Sequence, residues 1–180
     1  MNVKRLTYGV LLLSIIGLTA CHEDSCYDDC YDDSTSAPHR PQLYMANMVD
    51  TYAVNSEFDN EHLALSPYVN FGEFEVFWDM RSEGDFFVEL RVNDIDQSTG
   101  SRLITSDWCS PYSDCYHQQY QYCDYSSDFY LTCDTPSDTV QEEYIGDLVK
   151  TLPQDLYFIV QVCDTSFIYC EYQSFPVLME

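Results

Sequence analysis

Residues 73–93 alternate apolar and polar side chains twice over, and that rhythm limits the chain to few folds. Phe74, Val76, Trp78 and Met80 fall on one side of the first run, with Glu73, Glu75 and Asp79 on the other. In the second run Phe86, Val88, Leu90 and Val92 alternate against Phe87, Glu89, Arg91 and Asn93. A period of two belongs to a strand with one dry face, and a second layer has to cover that face. Between the runs, Arg81-Ser-Glu-Gly84-Asp supplies a polar turn in which Gly84 can take positive φ. The two strands are therefore expected to form a hairpin.

The same signal recurs in shorter pieces. Residues 102–108 predict a third strand, and residues 109–133 a loop followed by one short hairpin. Residues 156–163 are apolar on both faces, as a central strand of a covered sheet is, and residues 171–178 predict the last strand. Residues 42–52 and 140–150 fit helix and strand equally well. About seven short strands over about 120 residues, with turn signals between them, predict an all-β chain folded as an antiparallel β-sandwich over residues 42–180.

A different pattern occupies residues 1–20. Basic Lys4 and Arg5, an apolar run from Val10 to Leu18 and small residues before Cys21 have the layout of an export signal. The run is shorter than the roughly 20 residues that span a bilayer. Its end, Leu18-Thr19-Ala20-Cys21, resembles a bacterial lipobox. The resemblance implies cleavage before Cys21, diacylation of its sulfur and acylation of the new amine, so that acyl chains hold the protein to a membrane. In enterobacterial lipoproteins an Asp after that cysteine favours the inner membrane; His22 stands here, which implies the outer membrane, with the domain facing the periplasm or the cell surface.

Removing residues 1–20 deletes two bases and no acid, so the formal charge falls from −24 to −26. Only Arg40, Arg81, Arg91, Arg102 and Lys150 remain to meet a phosphate backbone, which excludes nucleic acid as a partner. The plainest reason for the charge is solubility. Residues 21–41 are rich in Asp, Ser, Pro and Tyr without a hydrophobic period, and include the tandem Cys26-Tyr-Asp-Asp-Cys30-Tyr-Asp-Asp. They are expected to form a disordered acidic tether.

With Cys21 reserved for lipid, Cys26, Cys30, Cys109, Cys115, Cys123, Cys133, Cys163 and Cys170 form an even set in an exported chain. Disulfides persist in such compartments. Eight cysteines allow 105 pairings. Proximity suggests Cys26–Cys30, Cys109–Cys115, Cys123–Cys133 and Cys163–Cys170, the last across the roots of a hairpin whose connection is residues 164–169.

Phe74-Glu-Val-Phe-Trp78-Asp with Asp85-Phe-Phe-Val-Glu-Leu-Arg-Val92, and Leu156-Tyr-Phe-Ile-Val-Gln-Val-Cys163 with Cys170-Glu-Tyr, resemble the B–C and F–G hairpins of fibronectin type III or related immunoglobulin-like domains. The resemblance makes Trp78 the inner-face tryptophan of strand B. It also expects a tyrosine near the start of strand F. With Phe158, Val160 and Val162 facing inward that slot holds Leu156, and the reverse register would bury Gln161, so the first is expected. Residues 109–133 have no counterpart in the ordinary module and are expected as a Cys- and Tyr-rich insertion.

Chemistry-bearing motifs are sparse. Asn93-Asp-Ile-Asp96-Gln-Ser98-Thr-Gly100 sets oxygen donors at alternate positions, so Asp94, Asp96 and Ser98 are the residues calcium would use. The sixth position from Asp94 is Thr99 rather than Gly and the twelfth is Thr105 rather than Glu, which favours a plain inter-strand loop and no metal. His22, His39, His62 and His117 lie in no metal-binding spacing. Cys115 beside His117 is not expected as a nucleophile, because the even cysteine count leaves no thiol over. No G-x-S-x-G elbow or Gly-rich phosphate loop occurs, and no cofactor is expected.

The densest chemistry is aromatic. Trp108, Tyr112, Tyr116, Tyr120, Tyr122, Tyr125 and Tyr130 crowd the disulfide-rich stretch. Tyrosine gives rigid amphipathic contact area at low entropy cost, so these residues are the candidate binding surface, against the plainer reading that they cover a poorly filled sheet. The expectation is a lipid-anchored envelope interaction or structural module without catalysis that binds a protein through Tyr-rich loops. A glycan-binding surface adhesin and a cell-envelope hydrolase are the alternatives.

Overall fold

Each alternating run becomes a strand; Glu73–Arg81 has one dry face, whereas Phe86–Asn93 is covered on both, with Glu89 and Asn93 buried opposite its apolar side. The computed structural model describes residues 40–50 and 63–180. In chain order its strands are β1 Gln42–Asp50, β2 Leu63–Leu65, β3 Glu73–Arg81, β4 Phe86–Asn93, β5 Arg102–Cys109, β6 Tyr120–Tyr125, β7 Tyr130–Asp134, β8 Val140–Tyr144, β9 Gln154–Asp164 and β10 Cys170–Met179. A single helical turn, α1 Asp114–His117, lies between β5 and β6. No helix of the described residues is long and apolar enough to cross a membrane.

The strands form two five-stranded sheets, ordered β1-β3-β6-β7-β8 and β2-β10-β9-β4-β5. Their pairings are antiparallel except β2 with β10. Phe74, Val76, Trp78 and Met80 of β3 are buried against Phe86, Val88, Leu90 and Val92 of β4 and Leu156, Phe158, Val160 and Val162 of β9. Phe74 and Phe158 meet edge to face at 5.7 Å. Each such buried side chain contributes about 1.5–3 kcal/mol of transfer free energy. The chain is an all-β antiparallel sandwich stapled by Cys109–Cys115, Cys123–Cys133 and Cys163–Cys170. Cys21, Cys26 and Cys30 lie outside the described residues, as do the tether expected before residue 40 and the signal.

Three expectations are corrected. β3 and β4 are not a hairpin: β3 pairs with β1 and β6, β4 with β5 and β9, and the two face each other across the core. Alternation shows that a strand has a dry face but not which strand lies beside it. Gly84 does not take positive φ; Gly72 and Gly100 do. The connection instead turns on Ser82, whose Oγ donates to the Gly84 carbonyl at 2.7 Å. Residues 109–133 are also no insertion, because β6 pairs with β3 and β7 with β6 inside the first sheet. The short hairpin expected there is β6 with β7, but tyrosine stands on both faces of β6 and polar Gln121 lies inside, which hid its place beside β3.

Other expectations hold. Residues 42–50 are strand, and residues 140–150 divide into β8 and a turn. In β9 the inward register is the expected one, with Leu156, Phe158, Val160 and Val162 in the core and Ile159 and Cys163 buried on the opposite face. Loop 94–101 interacts with that opposite face: the Ser98 hydroxyl donates to Gln161, and Asp96 accepts from the Ser174 hydroxyl. Phe167 stacks on Phe87 at 4.8 Å.

The seams between the sheets are closed by glutamines. Gln141 of β8 accepts from the Ser106 amide and donates to the Ser106 carbonyl of β5, each at 3.0 Å. Gln173 of β10 does the same for β1, accepting from Ala46 N at 2.8 Å and donating to Tyr44 O at 3.1 Å. The side-chain amide stands where a neighbouring strand's peptide would be, satisfying edge groups that would otherwise be open to another chain.

Candidate functional site

The outer face of the first sheet differs from that of the second. Register places Phe77 opposite Tyr120, Glu75 opposite Tyr122 and Glu73 opposite Asp124. Asp124 then faces Thr132, Thr132 faces Glu142, and Tyr130 faces Tyr144. Alternation sends all of these outward, since their neighbours Phe74, Val76, Cys123, Tyr125, Leu131 and Cys133 are buried. Tyr120, Tyr122, Tyr130 and Tyr144 are exposed. Tyr120 and Tyr122 contact edge to face at 5.4 Å, and Tyr130 and Tyr144 lie 5.3 Å apart. The result is an aromatic surface interleaved with carboxylates.

At one end of this face lies an open pocket of about 470 Å³, lined by Phe71, Glu73, Tyr122, Asp124, Thr132 and Asp134 among others. Phe71 stands at its rim with 82% of its surface exposed. Asn70, Phe71 and Gly72 all have positive φ, at 49°, 58° and 74°. Such a run is costly for side chains with a Cβ, and here it turns an aromatic ring outward beside the pocket. Gly72 fits because it has no Cβ: one there would run into the Tyr125 carbonyl.

The electrostatics match the composition. Partial burial raises the Asp124 carboxyl above its ordinary range, and Glu73, Glu142 and Asp134 push it further the same way. Glu75 raises the Tyr122 phenol, with smaller contributions from burial and Tyr120. Burial leads at Asp124 and neighbouring charge at Tyr122, and in both the nearby negative groups add a contribution that a cation would relieve.

The expected aromatic surface is divided by the fold. Tyr120, Tyr122 and Tyr130 come together on this face. Trp108 is exposed but belongs to β5 of the other sheet, and Tyr112 is exposed on the loop before α1. Tyr116 is half-buried, edge-on to Phe86 at 6.2 Å. Tyr125 is a correction: it is a core residue, 1% exposed, and burial raises its phenol. Phe71, Phe77 and Tyr144 were not anticipated. Phe77 interrupts the polar side of β3, Glu73-x-Glu75-x-Phe77-x-Asp79, and that anomaly was the available signal.

The calcium candidates go to separate partners: Asp94 pairs with Lys150 Nζ at 3.1 Å, Asp96 with Ser174 and Ser98 with Gln161. Among the described residues only Asp107, Cys109 and Cys115 gather three groups of a kind that binds metals. The two cysteines are a disulfide, and Asp107 accepts from Ser137 N at 2.8 Å and Ser137 Oγ at 2.7 Å. No protein-family model matches the sequence, and no curated protein matches it significantly.

Proposed function

We propose that this protein is a lipid-anchored envelope module without catalysis, exported through residues 1–20, acylated on Cys21, tethered by residues 21–41 to the outer membrane, and built to dock a protein partner. The observation that carries the reading is the exposed aromatic and acidic outer face of the first sheet, because rigid exposed tyrosines are the residues that interfaces use. Kinship with fibronectin type III or immunoglobulin-like domains is supported by the second sheet, where β10-β9-β4 follow one another as strands G-F-C do. In the first sheet β1-β3-β6 follow one another as strands A-B-E do, and the departure is β7 and β8, which add outward beyond β6. A neutral glycan could stack on the same tyrosines; the carboxylates between them favour a protein.

The test is affinity capture of the tagged lipoprotein from lightly cross-linked native membranes, with Cys21→Ser as the unanchored control. A stoichiometric partner lost on Tyr122→Ala with Tyr130→Ala, while the circular dichroism spectrum is retained, supports the reading. The same capture profile from wild type and variant, or saturable binding on a glycan array instead, overturns it.

A further inference from the structure

We infer that the pocket bordered by Phe71 and Tyr122 receives the cationic side chain, lysine or arginine, of a basic segment in the partner. The inference rests on the docking role proposed above and adds the chemistry of what is docked. Glu73, Asp124 and Asp134 line the pocket, and no base does. The mature chain's five bases are occupied elsewhere or distant. Arg91 pairs with Glu89, Arg102 with Asp147 and Glu143, and Lys150 with Asp94. Arg40 lies over the Tyr169 ring. Arg81 ends β3, eight residues from Glu73, which is roughly 26 Å along an extended strand. The protein therefore leaves this pocket's charge for another molecule to neutralise.

Geometry distinguishes a side-chain cation from a bare ion. A metal needs several oxygens converging on one point, and among the described residues no three of these carboxylates bring their oxygens within 4.8 Å of one another. Carboxylates spread around a 470 Å³ space suit an ammonium or guanidinium head carried on an aliphatic stem. Phe71 and Tyr122 supply ring faces for the stem and for cation–π contact. The chain's net charge of −24 would speed encounter with any basic partner, while the pocket selects the group that enters.

The experiment uses the full chain and three fluorescent octapeptides, alternating lysine and glycine, Nε-acetyl-lysine and glycine, or glutamate and glycine, read by anisotropy. The expected result is saturable, salt-sensitive binding of the lysine peptide and none of the other two. Glu73→Gln with Asp124→Asn weakens it about tenfold. Phe71→Ala, at unchanged charge, weakens it about threefold. Asp79→Asn with Asp85→Asn, the same charge change toward the far end of β3 from Glu73, alters it less than about twofold. Equal losses from the two double variants, which would mark diffuse attraction, overturn the inference. So does calcium chloride competing with the peptide at one ion per site. Membrane capture separates the two proposals: capture lost with the tyrosine variants but kept with Glu73→Gln/Asp124→Asn sinks the cation-pocket inference alone, whereas capture indifferent to both sinks the docking face itself.

Discussion

Gly72 and Gly100 offer a matched pair of alanine substitutions whose difference tests how the pocket end of the sandwich is built. Both have positive φ, 74° and 80°, so both substitutions carry the backbone penalty of a left-handed alanine, about 1–2 kcal/mol. At Gly100 an added Cβ meets nothing within 4 Å, and that penalty is the whole effect. At Gly72 the Cβ runs into the Tyr125 carbonyl oxygen, with the Tyr125 carbonyl carbon at 3.0 Å and its nitrogen at 3.1 Å. Backbone cannot swing aside as a side-chain tip can. Tyr125 is held by its pairing with Leu131 and by a side chain buried in the core, so relief requires β6 or the 70–72 turn to move. Overpacking of that kind adds about 1–3 kcal/mol, so Gly72→Ala should destabilise by about 3–4 kcal/mol against about 1–2 for Gly100→Ala. Urea unfolding followed by Trp78 and Trp108 fluorescence, with the disulfides intact, measures both; at a slope of about 2 kcal/mol per molar the two midpoints should differ by about 1 M. Midpoints that coincide would refute the close approach of the turn to β6, and with it the account of how Phe71 is held at the rim.

Two further outcomes follow from the hydrogen bonds. Gln141→Leu removes both bonds to the Ser106 backbone, should destabilise by about 1–2 kcal/mol and should make the protein self-associate with concentration in sedimentation velocity; an unchanged monomer of unchanged stability would show that the seam needs no amide. Burial raises the Asp164 carboxyl, but bonds from Ser166 Oγ and from the Tyr169, Ile168 and Phe167 amides outweigh it, and the net direction is down. A lowered carboxyl stabilises the fold above the ordinary aspartate range and loses that contribution as pH falls through its depressed value. Asp164→Asn should therefore flatten the acid side of a stability profile below about pH 4, and an unchanged acid limb would contradict the assignment.

How much of this was legible in the sequence depended on whether a residue type commits to one environment. Val, Phe and Leu at alternate positions placed β3, β4 and β9 and their inner faces. Three short-range cysteine pairs could be drawn because each spans the roots of a loop. Along Tyr120-Gln-Tyr122-Cys123-Asp124-Tyr125 tyrosine stands on both faces and Gln121 lies inside, so the sequence predicts a short hairpin but not its place beside β3. The same ambiguity assigned Tyr125 to the surface. Strand neighbours were not legible, because pairing across the sheet is decided by the whole chain: β3 meets β6 some 40 residues on, not β4. The pocket was invisible for a related reason. It needs Phe71 from a left-handed turn and Asp134 from β7, which nothing local connects.

The glutamine seams bear on how such a protein could change its partner. Gln141 and Gln173 occupy peptide groups on the edge strands β5 and β1, and β2 is only three residues long, so less backbone is left for a visitor to extend. A partner on the proposed docking face would read side chains instead. On a sheet whose inward residues carry the stability, the outward ones can be exchanged singly, so specificity can drift position by position while the scaffold beneath stays as it is.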